Sequence, residues 1–193
     1  MKLQVIIGST RPGRQSDKLA RWVSTHAADI EGVEVELVDL VDYPLALFDE
    51  AISPQYNPNR SPSAAAKKWL DKLSEADAYV LVTPEYNRST SGVLKNALDY
   101  VDFQMKDKPV GIVAHGSSGG GQAVGHLRAI VTGVLAVTIP QAVYFAHRVS
   151  EVVSEKGEIT EELAQKPGGP KSALDGMLAS LKWYSDALQS ARD

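Results

Sequence analysis

The sequence predicts an α/β fold in which helices cover both faces of a five-stranded parallel sheet. Three observations lead to this prediction. Short apolar runs rich in β-branched residues alternate with longer segments whose apolar residues recur at helical spacing. Most of these runs end at glycine or proline, as strands commonly do. The segments between runs are long enough to hold a helix, and such βαβ units place neighbouring strands parallel.

The predicted strands are residues 3–7, 33–38, 78–83, 110–114 and 141–145. The predicted helices are residues 16–28, 63–75, 91–103, 121–131 and 172–189. Residues 39–63, rich in Pro, Asn, Ser and Asp, form a long connection of the kind that often carries function. Five such strands suit the flavodoxin-like, doubly wound order 2-1-3-4-5, in which ligands bind beyond the carboxyl ends of the strands.

Composition narrows the classes of function. The 193 residues suit one domain over residues 1–193, and a net charge of -4 without a basic segment argues against a nucleic-acid partner. The absence of cysteine excludes disulfides, thiolate metal sites and thiol catalysis. The four histidines show no metal-ligand pattern, so no metal is expected. No apolar run approaches the roughly 20 residues of a membrane span, and we expect a cytoplasmic protein.

The loop after the first strand, GSTRPGRQS at residues 8–16, joins a strand to the start of a helix. Free N–H groups and the helix dipole favour an anion at such a place. No lysine follows Gly13, which argues against a nucleotide triphosphate, so a monophosphate is the simpler ligand. The alternative is a polar turn in which Ser16 caps the helix. The donors available for an anion are Ser9, Thr10, Arg11, Arg14 and Ser16.

Two further loops follow the third and fourth strands. PEYNRSTSG, residues 84–92, offers an aromatic ring and amide groups for a flat ligand, or is only a polar connection. HGSSGGGQ, residues 115–122, leaves backbone N–H groups open, or is a flexible surface loop. It also matches the G-x-S-x-G pattern of serine hydrolases. That pattern requires an acid and then a histidine after the serine, and no Asp or Glu lies between Ser118 and His147.

These loops together resemble the NADPH-dependent FMN reductase family, flavodoxin-like flavoproteins that include quinone, azo-dye and chromate reductases. The resemblance runs from about residue 3 to residue 146, and its most specific part is TPEYNRSTSGVLKNALDYV. It implies bound FMN, with NADPH or NADH as hydride donor. The chain departs from the family at Ser91, where proline is frequent, and at Arg88, where an aromatic residue is common. We expect Ser91 to loosen the loop or alter a subunit contact, and Arg88 to favour an anionic substrate or the extra phosphate of NADPH.

The resemblance also implies roles for particular residues. The 5′-phosphate of FMN would be held by Ser9, Arg11 and Ser16, with Arg14 and Gln15 close by. The isoalloxazine ring would be lined, largely through backbone groups, by Pro84, Glu85, Tyr86 and Asn87. The other side of the ring, near its pyrimidine edge, would be covered by His115, Gly116, Ser117, Ser118 and Gly119. No catalytic side chain is expected, because the flavin performs the redox chemistry.

The function that the resemblance implies is ping-pong hydride transfer from NAD(P)H through flavin N5 to a small-molecule acceptor. The acceptor would be a quinone, an azo compound, a metal oxyanion or free flavin. Two alternatives stay open: a flavodoxin-type electron carrier, and a redox-responsive interaction module that binds FMN structurally. The resemblance also implies a homodimer or homotetramer, with the helix at residues 91–103 as the candidate interface. Exposure of Tyr100 and Phe103 would mark that interface.

Overall fold

The computed structural model describes residues 1–192 and confirms the predicted sheet. Its five parallel strands lie in the order β2-β1-β3-β4-β5. The strands are β1 Lys2–Ile7, β2 Glu34–Asp39, β3 Ala78–Pro84, β4 Pro109–His115 and β5 Val137–Phe145. The helices are α1 Ser16–Ala28, α2 Ala64–Ser74, α3 Gly92–Asp99, α4 Gly121–Gly133, α5 Val149–Val152, α6 Glu161–Gln165 and α7 Pro170–Arg192. Two short 3-10 helices, Leu40–Asp42 and Pro54–Tyr56, lie in the long connection.

Two apolar cores, one on each face of the sheet, hold the layers together. Helices α2, α3 and α4 pack on one face around the buried side chains of Trp69 and Tyr79. Helices α1 and α7 pack on the other face around Trp22 and Phe145. Alternation along the strands divides their side chains between the two cores, and all seven residues of β3 are buried. The predicted loops follow the carboxyl ends of this central strand and of its two neighbours, β1 and β4.

Strand β5 begins four residues before the predicted start of residue 141. Its register with β4 is irregular: Thr138 pairs with Val110, but the next pair is Ala142 with Ile112. Pro140 lies within this bulge, where its missing N–H removes no regular ladder bond. A proline inside an apolar run is normally read from the sequence as the boundary of a strand. This explains why the predicted strand starts only after Pro140.

The last fifty residues contain more structure than the sequence predicted. The short helices α5 and α6 were not predicted, and α7 runs from Pro170 to Arg192 rather than over residues 172–189. The segment between β5 and α7 packs against α1, where the ammonium of Lys18 lies 2.6 Å from the Glu155 carboxylate. Within residues 1–192, no helix combines the length and the apolar character that crossing a membrane requires.

The long connection is ordered by a network of ion pairs. The Arg60 side chain is 7% exposed and bonds both oxygens of Glu50, at 2.8 and 2.9 Å. Its third bond, of 2.8 Å, reaches Asp102, just beyond α3. Helix α3 itself ends at Asp99, four residues before the predicted end. The connection is thus fixed against the side of the molecule that carries α3.

Candidate functional site

The carboxyl ends of β1, β3 and β4 bring the three predicted loops to one edge of the sheet. Gly8, at the end of β1, donates its N–H to the Val82 carbonyl at 2.8 Å. A Cβ at Gly8 would lie 2.8 Å from that same oxygen, so a larger residue would separate the strands. Ser91 then bonds the Gly8 carbonyl through its hydroxyl. The first and second loops are therefore joined at their bases.

Within the first loop, the Arg14 side chain is bonded to other groups of the protein. Its guanidinium donates to the Ser9 carbonyl at 2.7 Å and to Asp39 Oδ1 at 2.8 Å, and it also bonds Asp39 Oδ2. The hydrogen bond to Asp39 raises the pKa of Arg14 above its ordinary value. A turn in which the Arg14 N–H donates to the Arg11 carbonyl at 3.1 Å leaves Arg11 exposed. Arg11 is thus the guanidinium that the loop offers to a ligand.

Helix α1 begins without a side-chain cap. Gln15 occupies the N-cap position but makes no capping bond, and its Nε2 donates to the Gly13 carbonyl at 3.1 Å. Its Oε1 is buried and has no hydrogen-bond partner within residues 1–192. The buried Ser16 hydroxyl is not a cap either, because it lies 2.9 Å from His115 Nε2. The first turn of α1 therefore presents free N–H groups beside an unsatisfied acceptor.

His115 connects the first loop with the third. It is the last residue of β4, and burial lowers the pKa of its imidazole to about 4. The ring is therefore neutral at pH 7 and carries a proton on only one nitrogen. Its backbone carbonyl accepts the Glu85 N–H at 2.7 Å, which joins the second loop to the same edge.

The second loop is a tight hairpin at residues 86–89. The Tyr86 N–H donates to the Ser89 carbonyl at 2.8 Å, and the Ser89 N–H donates back at 3.0 Å. The two residues at its tip, Asn87 and Arg88, have φ of 48° and 70° and are exposed. Tyr86 OH lies 3.2 Å from the Ser9 hydroxyl. This aromatic ring therefore lies beside the loop predicted to hold the phosphate.

Ser91 ties this hairpin down, contrary to the expectation that it would loosen the loop. Its side chain is buried, caps α3 by accepting the Leu94 N–H at 3.2 Å, and bonds the Gly8 carbonyl. A proline at this position has no hydroxyl for either bond. Serine thus replaces the rigidity of proline with hydrogen bonds.

Glu85 acts as the missing cap of α4. Gly120, the N-cap residue of that helix, has φ of 79° and no side chain. The Glu85 carboxylate accepts the N–H groups of Gln122 at 2.9 Å and Ala123 at 3.3 Å instead. A negative group at a helix N-terminus is also favoured by the helix dipole. The side chain of Glu85 is therefore engaged, and its backbone N–H is engaged as well, because it donates to the His115 carbonyl.

A cleft of about 470 Å³ opens at this edge. It brings together Gln15, His115, Gly116 and Ser117 from the predicted set. The other wall is the segment from Ala146 to Ser150, which sequence reasoning missed because it contains no recognisable motif. The remaining predicted residues lie on the adjoining loops: Ser118 is exposed beside the cleft, whereas Pro84 and Gly119 are buried in the loop bases.

Known proteins resemble this chain in both sequence and fold. Residues 1–150 match the family described as NADPH-dependent FMN reductase. An NAD(P)H-dependent FMN reductase from Schizosaccharomyces pombe is 32% identical over 185 residues, which covers 86% of this chain and 92% of that protein. An FMN-dependent NADPH-azoreductase from Staphylococcus saprophyticus is 36% identical over 146 residues, which covers 72% of this chain and 74% of that protein.

Among solved structures, the flavoenzyme FerB, an NAD(P)H:(acceptor) oxidoreductase from Paracoccus denitrificans, shares the fold with a TM-score of 0.68 and 24% identity. The alignment covers 98% of this chain and 97% of FerB. The sequence matches confirm the resemblance that the three loops indicated. The chain belongs to the NADPH-dependent FMN reductase family and is an oxidoreductase enzyme that depends on FMN and NAD(P)H.

Proposed function

We propose that the three loops at the carboxyl edge bind FMN, with its phosphate at the start of α1. The uncapped first turn of α1 carries this proposal, because it offers free N–H groups in the same loop as the buried hydroxyls of Ser9 and Ser16. Arg11 supplies the charge, since Arg14 is already neutralised by Asp39. The hairpin from Tyr86 and the backbone of residues 115–119 would hold the ring.

A second observation, the unpaired side-chain oxygen of Gln15, also supports FMN as the ligand. Gln15 Oε1 is a buried acceptor without a donor, and it lines the cleft. Buried acceptors are rarely left unpaired in folded proteins. A hydroxyl of the ribityl chain would supply the missing donor. Neutral His115 would keep the Ser16 hydroxyl in place without adding a charge beside the phosphate.

The groups of the protein would bind and orient FMN. When bound, FMN would supply the ring that accepts a hydride at N5 and delivers electrons to a second substrate. The backbone N–H groups of residues 116–118 would face negative charge on the pyrimidine edge, as oxyanion-type donors do. No acidic or basic side chain is required beside flavin N5. NAD(P)H and the electron acceptor would therefore bind in turn to the same open face of the flavin ring. We propose a quinone, an azo compound, a metal oxyanion or free flavin as the acceptor.

Two-substrate steady-state kinetics test this ping-pong scheme. Initial rates are measured over a grid of NADPH and quinone concentrations, and the grid is repeated with an azo dye. Parallel double-reciprocal lines are expected, because NADP⁺ leaves before the acceptor binds. Intersecting lines would contradict the shared face. An NADPH oxidation rate close to zero with every acceptor, together with retained FMN, would instead favour an electron carrier or a structural flavin.

We also propose a homodimer or homotetramer whose interface includes the side of the molecule that carries α3. Three large apolar side chains are exposed there: Leu47 at 84%, Tyr56 at 78% and Phe103 at 54%. Tyr100, the other expected marker, is buried against Phe48, with ring centroids 5.2 Å apart. Burial of such side chains is the usual driving force for association.

Light scattering after gel filtration tests the oligomer. A Leu47→Ser, Phe103→Ser double variant should elute as a monomer of about half or a quarter of the wild-type mass. Trp183→Ser is the matched control, because Trp183 is 65% exposed on α7, which covers the opposite face of the sheet. A wild-type mass of one chain, 20.8 kDa, would contradict the proposal.

A further inference from the structure

The tip of the hairpin at residues 86–89 contains an unfavourable backbone conformation. A two-residue hairpin with positive φ at both central positions is the type I′ turn, which favours Asn followed by Gly. Asn87, with φ of 48°, follows that preference. Arg88, with φ of 70°, does not, because its Cβ makes the left-handed region costly. Glycine would satisfy the turn better, so the arginine requires another explanation.

The surroundings hold this tip in its conformation. The reciprocal backbone bonds between Tyr86 and Ser89 close the turn. The Ser89 hydroxyl lies 3.0 Å from His126 Nδ1 on α4. At the base of the hairpin, the buried hydroxyls of Thr83 and Thr90 are 2.7 Å apart. Strained residues that their neighbours fix in this way occur mainly at functional sites.

The charge of Arg88 is not used by the protein. Its side chain is exposed, and within residues 1–192 it forms no ion pair with a carboxylate. In contrast, the side chains of Arg14 and Arg60 are each bonded to carboxylates of the protein. The guanidinium of Arg11 lies 6.0 Å from the Tyr86 ring centroid, and its charge is assigned above to the phosphate of FMN. Arg88 is thus a positive charge left free where a substrate must approach.

We propose that Arg88 is a specificity-determining residue that binds an anionic group, a phosphate, sulfonate or carboxylate, on a substrate entering over the hairpin. This inference rests on the proposed function, because the substrate must approach the ring beside Tyr86. A planar guanidinium donates two bonds to such groups and remains charged at all working pH values. Two sources share this chemistry: the 2′-phosphate of NADPH, and an acidic substituent on the electron acceptor.

Three substitutions separate charge from backbone conformation. Arg88→Gln removes the charge and keeps a side chain at positive φ, Arg88→Lys keeps the charge, and Arg88→Gly removes both the charge and the strain. Arg21→Gln is the matched control, because Arg21 is an exposed arginine in the middle of α1, away from the loops. Each FMN-loaded variant is assayed with NADPH and NADH against an uncharged quinone, and with NADPH against a carboxylated and an uncharged azo dye.

If the anion is the NADPH phosphate, Arg88→Gln raises KM for NADPH about 5- to 10-fold and leaves KM for NADH unchanged. If the anion is on the acceptor, the same increase occurs only with the carboxylated dye. In either case Arg88→Lys stays within about threefold of wild type. Arg88→Gly loses the same binding as Arg88→Gln while its Tm rises by about 2 °C, since its backbone strain is relieved. If Arg88 acted only through the backbone conformation of the turn, Arg88→Gln and Arg88→Gly would differ in KM, because only Arg88→Gly relieves the strain.

The inference is overturned if Arg88→Gln keeps both ratios, NADPH to NADH and carboxylated to uncharged dye, within twofold of the wild-type and Arg21→Gln values. It is also overturned if charged and uncharged substrates lose activity equally. These results differ from a failure of the proposed function, in which the wild-type protein itself neither retains FMN nor oxidises NADPH.

Discussion

Replacing His115 by glutamine should remove a large part of the acid sensitivity of this protein. In the fold, burial lowers the pKa of His115 to about 4, whereas an exposed histidine has a value of 6.5. Between these two pH values the unfolded chain binds more protons than the folded chain. The free energy of unfolding therefore falls as pH decreases from about 6.5 to about 4, and this contribution is complete below pH 4.

The size of this effect follows from the two pKa values. Their difference of about 2.5 pH units corresponds to at most about 3.5 kcal/mol, since one unit is worth about 1.4 kcal/mol. Between pH 7 and pH 4.5, most of this loss, about 2 kcal/mol, should be observed. Glutamine can still form a hydrogen bond with Ser16 and cannot titrate, so the contact between the first and third loops is kept.

Urea denaturation of flavin-free protein at several pH values between 7 and 4.5 provides the measurement. The carboxylates titrate in both proteins, so the quantity of interest is the difference between wild type and His115→Gln. This difference should change by about 2 kcal/mol over the range. His126→Gln is the control, because it removes a histidine from an exposed position on α4. Parallel pH profiles for wild type and His115→Gln would refute the assignment of a partly buried, neutral imidazole.

Three further substitutions test the geometry of the edge and of the long connection. Glu85→Ala removes the carboxylate that caps α4, so the free energy of unfolding in urea should fall by about 1–2 kcal/mol; an unchanged midpoint would contradict the capping role. Gly120→Ala places a Cβ 2.6 Å from the Ala114 Cβ at positive φ and should lower Tm by more than about 5 °C, whereas Gly121→Ala, which meets nothing within 4 Å, should not. Arg60→Met leaves two carboxylates unpaired and should cost about 2 kcal/mol at pH 7; an unchanged free energy of unfolding would contradict the role of this network.

The sheet was predictable because its signals are local. Apolar runs, glycine and proline boundaries and the intervening helical periodicity specify a parallel, doubly wound arrangement without any long-range information. The errors occurred where a local signal was misleading. The predicted fifth strand began only at residue 141, whereas β5 starts at Val137 and contains Pro140 in a bulge. The four-residue helix α5 is too short for a 3.6-residue period to be visible.

The candidate site was predictable only at the level of its loops. The motifs located all three loops, and the parallel sheet brings them to one edge. The partners of particular side chains were not predictable, because they are distant in the sequence. Arg14 bonds Asp39 and Glu85 bonds the N–H group of Gln122, and neither pairing has a sequence signature. The roles assigned to individual residues in FMN binding stay predictions.

Anaerobic titration with NADPH tests the central claim, that this edge holds an FMN which NADPH reduces. The protein is loaded with FMN, passed through gel filtration and titrated while absorbance is recorded between 350 and 550 nm, about the range of flavin absorption. The account predicts that one FMN per chain persists through the column and that its bands bleach with one equivalent of NADPH. Ser16→Ala should retain less FMN. A wild-type protein that retains no FMN and whose NADPH oxidation does not depend on added FMN would contradict the account.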